Sequence, residues 1–196
     1  MYEQVTTAAV TDNLSAHFEQ WQPDWQNAFQ NDGFAVMLAP GWMLGVISGN
    51  AAGVTGWDLA DVFPGGSGNW CGSFLTVPSQ GANVEAAKEL AAWLTAPEQQ
   101  IKAFQNKGTF PSQVEALESD EIKSATNEFF NNAPVGEILA NRAQGVVVPF
   151  KGPQYFTVQD AINNAITQVY VNGADPAAEW ATFEGVFQGL GLPDLT

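Results

Sequence analysis

The side chains able to do chemistry are few, and their spacing narrows what that chemistry is. His17 is the only histidine and stands in "SAHFEQW" with no partner pattern. A zinc site or a histidine-based triad needs further ligands or a nucleophile and an acid around the imidazole. Neither is expected, and His17 reads as a solvated or locally bonded side chain. Cys71, the only cysteine, has no histidine to activate it and reads as a small buried residue. Asp58 and Asp61 lie three apart on a predicted strand, "WDLADVF". That spacing points them to opposite faces, a poor arrangement for two carboxylates that must share one glycosidic bond. Glu118, Asp120 and Glu121 open a predicted helix, where acids complement the dipole. The glycines of "GVISGNAAGVTG" and "PGGSG" match neither G-x-G-x-x-G nor the phosphate-loop spacing, and read as turns.

Aromatic rings are the unusual resource, with seven Trp, three Tyr and thirteen Phe. Trp93, Trp180, Phe183 and Phe187 have the spacing of helix core positions. Trp42 and Trp70 differ, because each sits beside glycine at the end of an extended run, in "APGWM" and "GNWCGSFLTVP". Tyr155, in "KGPQYF", directly precedes an apolar-striped helix. Ends of elements that open on a cleft are where α/β proteins place ligand contacts, so these three rings point to an aromatic-lined cleft.

The chain has 196 residues and a formal net charge of −15, from 6 basic and 21 acidic side chains. This balance argues against a nucleic-acid partner, which needs clustered Lys and Arg, and against an anionic lipid surface. It suits a neutral or cationic small molecule. A hydrophobic fraction of 45% is that of a globular chain. The N-terminus "MYEQVTTAAV" has neither the basic nor the long apolar region of a signal peptide. That start fits a cytoplasmic protein or a chain that begins partway through a longer precursor.

The elements that must position the rings follow from period and punctuation. Strands are predicted at "GFAVMLAP", "WDLADVF", "SFLTVP" and "GVVVPF", and a helix or turn starts at "GWMLGVISG". Pro23 opens a short helix that stops before Asp32-Gly33. Val84, Ala87, Leu90, Ala91 and Leu94 recur at helical spacing behind Asn83 as the expected cap, and Pro97 opens the next helix, which Gly108 closes. A further helix is expected from Ser119 to about Phe130. Val158, Ala161, Ile162, Ala165, Ile166 and Val169 form the longest stripe, and Asp175-Pro176 caps and starts the last helix. The alternation fits an α/β protein.

Four stretches, "NDGFAVMLAPGWMLGVI", "GNWCGSFLTVP", "AAKELAAWLTAPEQQIKAFQNKGTFPS" and "AINNAI…NGADPAAEWATF", occur in the order found in carbohydrate-binding proteins of ATP-binding-cassette importers. The chain therefore resembles the maltose-binding-protein-like solute-binding family over nearly its whole length, more loosely over its first thirty residues. The resemblance implies an α/β fold, the periplasmic-binding-protein-like two-lobed clamshell (type II), of which this chain would be the C-terminal half. Residues 1–71 would then belong to lobe 2 with the hinge, 72–111 would return to lobe 1, and 112–196 would complete lobe 2. It implies Trp42, Asn69, Trp70, Gln154 and Tyr155 as ligand-binding residues, with Cys71 standing where the family's "NWGGS"-like motif has glycine. It also implies a sugar or oligosaccharide ligand, ABC permease subunits and the N-terminal half of the same protein as partners, no cofactor, no catalysis, and a lipid-anchored extracellular or periplasmic location. A glycoside-active enzyme or its sugar-binding module, and a solute-binding protein for a non-sugar ligand, are the alternatives.

Overall fold

The computed structural model describes residues 2–63, 65–70 and 72–192. Cys71, and with it the expectation that this thiol is buried, lies outside them. In chain order the helices are α1 (Tyr2–Thr6), α2 (Pro23–Ala28), α3 (Leu44–Ala51), α4 (Val84–Leu94), α5 (Pro97–Lys107), α6 (Val114–Leu117), α7 (Asp120–Lys123), α8 (Val135–Gln144), α9 (Tyr155–Tyr170) and α10 (Pro176–Gly189). A π-helical turn at Thr7–Thr11 continues α1, and 3-10 turns occupy Gly41–Met43 and Glu128–Phe130. The described residues fall into two compact units, Met1–Ala35 with Pro149–Thr196, and Val36–Val148.

In the first unit α1 and its π turn pack on α9, and α9 lies along α10. The α9 stripe buries Ala165 and Val169, and Phe183 is the buried ring of α10. Asp175 caps α10 by accepting from the Ala178 amide at 2.9 Å, and Pro176 occupies the first turn. The Tyr2 hydroxyl donates to the Pro176 carbonyl at 2.9 Å, and its ring meets Trp180 at 4.8 Å. Burial, followed by the charges of Glu179 and Asp175, raises the Tyr2 phenol above its ordinary pKa. His17 contacts the Tyr170 carbonyl at the end of α9, a partner 153 residues away in sequence rather than a local one. A second cluster runs Trp21, Trp25, Phe29, Phe34 with successive ring centroids 5.2, 4.8 and 5.0 Å apart.

In the second unit Met43, Leu44, Ile47, Ala116, Ile122 and Phe130 are core residues. α8 crosses α7 at Gly136, where a Cβ would stand 1.7 Å from the Ile122 carbonyl oxygen. The Gly136 amide also donates to the Ala125 carbonyl at 3.0 Å. Gly108 adopts φ +67 and closes α5 with a 2.7 Å bond to the Phe104 carbonyl.

Three expectations are corrected. No strand forms among the described residues, where the single bridge joins Asn127 and Ala133. The stretches 33–40, 57–63, 73–78 and 145–150 carry no ladder, and Val36, Phe74, Val148 and Phe150 are 83%, 93%, 87% and 94% exposed. A strand is completed by a neighbour's N–H and C=O groups, and the described residues supply none here. Asn83 makes no side-chain cap bond, and α4 buries none of its residues, leaving Leu90, Trp93 and Leu94 exposed. The helix expected over 119–130 is two short pieces: α7 ends where the Ser124 hydroxyl donates back to the Asp120 carbonyl at 2.6 Å, and a 3-10 turn follows.

Gly136→Ala is expected to destabilise the protein by about 2 kcal/mol or more through overpacking. In contrast Gly185→Ala, in an open position on α10, is expected to stabilise it by about 0.5–1 kcal/mol. Urea unfolding of the two variants at unchanged m checks both signs.

Candidate ligand-binding site

Trp42 sits in the 3-10 turn that leads into α3. Pro40 enters the turn extended, and a Cβ at Gly41 would lie 2.9 Å from Leu139 of α8, so glycine permits the close approach. Met43 and Leu44 point into the core, and Trp42 stays 38% exposed. Sequence order alone thus plants the turn by its second half and displays the indole of its first.

Trp70 comes from the glycine-rich loop 61–70 and is 44% exposed, with Asn69 exposed beside it. Phe63 presses on Gly68, where a Cβ would come within 3.1 Å of the ring. The Trp42 indole N–H donates to the Trp70 backbone carbonyl at 3.0 Å. The two rings stand 5.8 Å apart at 76°, an edge-to-face pair. They form a corner with ring surface open to solvent, built wholly within the second unit.

Of the acids weighed for hydrolysis, Asp61 serves the loop and Asp58 bonds outside it. Asp61 pairs with Arg142, Nε to Oδ1 at 2.6 Å, and Asp58 accepts from its neighbour's Leu59 amide at 2.8 Å and from Asn131 at 3.4 Å. Carboxylates held this way are structural acceptors. Sequence reasoning missed Arg142, because no helix was expected over 135–144 and its partners lie 76 and 81 residues away. Among the described residues no group of three or more His, Cys, Asp or Glu is arranged to hold a metal ion, and no helix is long and apolar enough to cross a membrane.

Gln154 and Tyr155 belong to the first unit, at the start of α9. Gln154 is exposed in the N-cap position, where its side chain makes no cap bond. The Tyr155 ring is half-buried, with the Lys151 ammonium 4.5 Å from its centroid and Phe156 edge-on at 5.2 Å. One face of this ring is therefore engaged by a cation, a contact that the lysine in "KGPQYF" could have signalled.

Residues 1–131 match the family model for the bacterial extracellular solute-binding protein. The chain belongs to this family. A crystal structure of an extracellular solute-binding protein family 1 is 45% identical, with a TM-score of 0.87 over 96% of this chain and 48% of that one. The chain thus spans about half the length of that protein and shares the fold of the matched part. No curated protein matches it.

The exposed pair Trp42 and Trp70 lies within the residues matched by the family model. Trp42→Phe keeps a ring and removes the N–H donor, so it is expected to cost about 0.5–1.5 kcal/mol, toward the low end for an exposed bond. It should also release the Trp70 carbonyl. Denaturant unfolding reads the first effect, and a change in the near-ultraviolet circular dichroism of the coupled indoles reads the second.

Proposed function

We propose that the protein binds a sugar or oligosaccharide in an interlobe cleft and delivers it to an ABC permease, without catalysis. The observation that carries this reading is the corner of Trp42 and Trp70, two exposed indoles fixed relative to each other by a hydrogen bond. A pyranose has apolar C–H faces and a polar rim, so a flat ring covers the face and leaves the hydroxyls to amides such as Asn69 and Gln154. Covering about 100 Å² at one platform contributes on the order of 2 kcal/mol, whereas micromolar binding needs roughly 8 kcal/mol. Several platforms and hydrogen bonds must therefore combine, with Tyr155 as a third ring on the face away from Lys151.

The 76° angle adds a constraint. Both indoles cannot lie flat on one sugar face, so the corner suits a sugar on one ring with its edge, or a neighbouring sugar unit, against the other.

In this reading the protein is a two-lobed, hinged clamshell whose closed form the permease reads. The extended stretches at 33–40, 57–63, 73–78 and 145–150, which carry no strand ladder, and the open face of α4 would be completed by polypeptide of the same protein outside this chain, and the length of the matched solute-binding protein supports this. Residues 72–111 would then pack with lobe 1 and the rest with lobe 2. The location is the extracellular face of the membrane, with a lipid anchor, or the periplasm.

Titration calorimetry on the full-length protein, against mono- and oligosaccharides, tests the reading. Trp70→Ala is expected to weaken the sugar that wild type binds by about thirtyfold, the equivalent of roughly 2 kcal/mol. Equal affinity in wild type and variant contradicts the stacking role.

A further inference from the structure

The loop that displays Trp70 has little to hold its shape. Residues 61–70, "DVFPGGSGNW", include three glycines, two of them, Gly65 and Gly66, at φ +79 and +108. Its one described internal backbone bond runs from the Gly66 amide to the Phe63 carbonyl at 3.1 Å. Glycines of this kind have high conformational freedom and need outside contacts to keep one form.

Arg142, in the last turn of α8, supplies them. Its Nε donates to Asp61 Oδ1 at 2.6 Å, Nη2 to the Asp61 carbonyl at 2.7 Å and Nη1 to the Gly66 carbonyl at 2.8 Å. One rigid guanidinium thus grips both ends of the turn, four residues before Trp70. Three residues beyond Arg142, Gly145 faces Ser67, where a Cβ would come 2.7 Å from Oγ, so the helix end also meets the middle of the loop. The opposite end of the loop is tied by the Trp42 indole to the Trp70 carbonyl. The Arg142 and Asp61 side chains are 34% and 49% exposed, so their charge attraction is a minor contribution. What matters is the fixed fork of donors, which a lysine ammonium on a flexible stem does not reproduce.

We propose that Arg142 is a positioning residue: by clamping Asp61 and Gly66 it sets where Trp70 stands against Trp42. The consequence for binding rests on the stacking role given above, whereas the clamp does not.

Hydrogen exchange on the ligand-free full-length protein, with 5-fluorotryptophan at position 70 read by fluorine NMR, tests the clamp. In Arg142→Lys the Gly66 amide, the loop amide with a described backbone bond, is expected to exchange about tenfold faster, roughly 1.4 kcal/mol of lost protection. The Trp70 fluorine signal should shift, while exchange in α9 stays as in wild type. Asp61→Ala, which leaves both carbonyl acceptors, should show a smaller change in the same direction. Unaltered loop exchange and an unaltered Trp70 signal in Arg142→Lys would overturn the proposal, as would equal acceleration across the molecule.

A binding arm with maltotriose separates the two ideas. If Arg142 acts through Trp70, Arg142→Lys weakens binding in wild type and adds no further loss in Trp70→Ala. Fully additive losses contradict positioning through Trp70. A loosened loop in Arg142→Lys together with wild-type affinity in Trp70→Ala supports the clamp and refutes the stacking role.

Discussion

A helix closes its backbone hydrogen bonds on itself, whereas an extended segment depends on a neighbour, and this asymmetry governs the whole molecule. Each helix from α1 to α10 closes backbone bonds within its own segment. The stretches around Val36, Phe74 and Val148 cannot complete themselves, and their apolar side chains stand in solvent. The loop bearing Trp70 is subject to the same demand and meets it differently, by borrowing donors from the side chains of Arg142 and Trp42.

That substitution links fold to site. α8 is packed so closely on α7 at Gly136 that its register has little freedom. The same helix brings Leu139 against Gly41 and Arg142 against the 61–66 turn, so both tryptophan-bearing segments take their places from one element. The corner they make follows from local contacts inside one unit, with an exposed apolar surface at its rim. Asn69, a polar neighbour of the corner in the same unit, is exposed where it stands.

Much of the helical frame was legible because it is punctuated. Pro97 and Gly108 bracket α5, Asp175 and Pro176 start α10, and the stripe ending at Val169 marks α9. α8 escaped notice because the residues it buries, Val135, Gly136 and Ala140, are small and give a weak apolar contrast. The 119–130 segment was read as one helix because side-chain back-bonding at Ser124 and the left-handed Asn131 and Asn132 leave little trace in periodicity. The predicted strands have the right composition, but pairing is non-local and composition does not supply the partner. Of the site, the tryptophans stood out through their glycine neighbours. Their mutual angle and the arginine clamp depend on contacts 28 and 76 or more residues apart, which no spacing in the chain reveals.

The central claim is that the indoles at 42 and 70 present their faces to a saccharide. Saturation-transfer NMR on the full-length protein, irradiating the indole ring protons while a bound oligosaccharide exchanges, addresses it directly. The account predicts the strongest transfer to the axial C–H protons on one pyranose face, lost when position 70 is alanine. Uniform transfer that survives this substitution, in a protein that still binds the sugar, would contradict it.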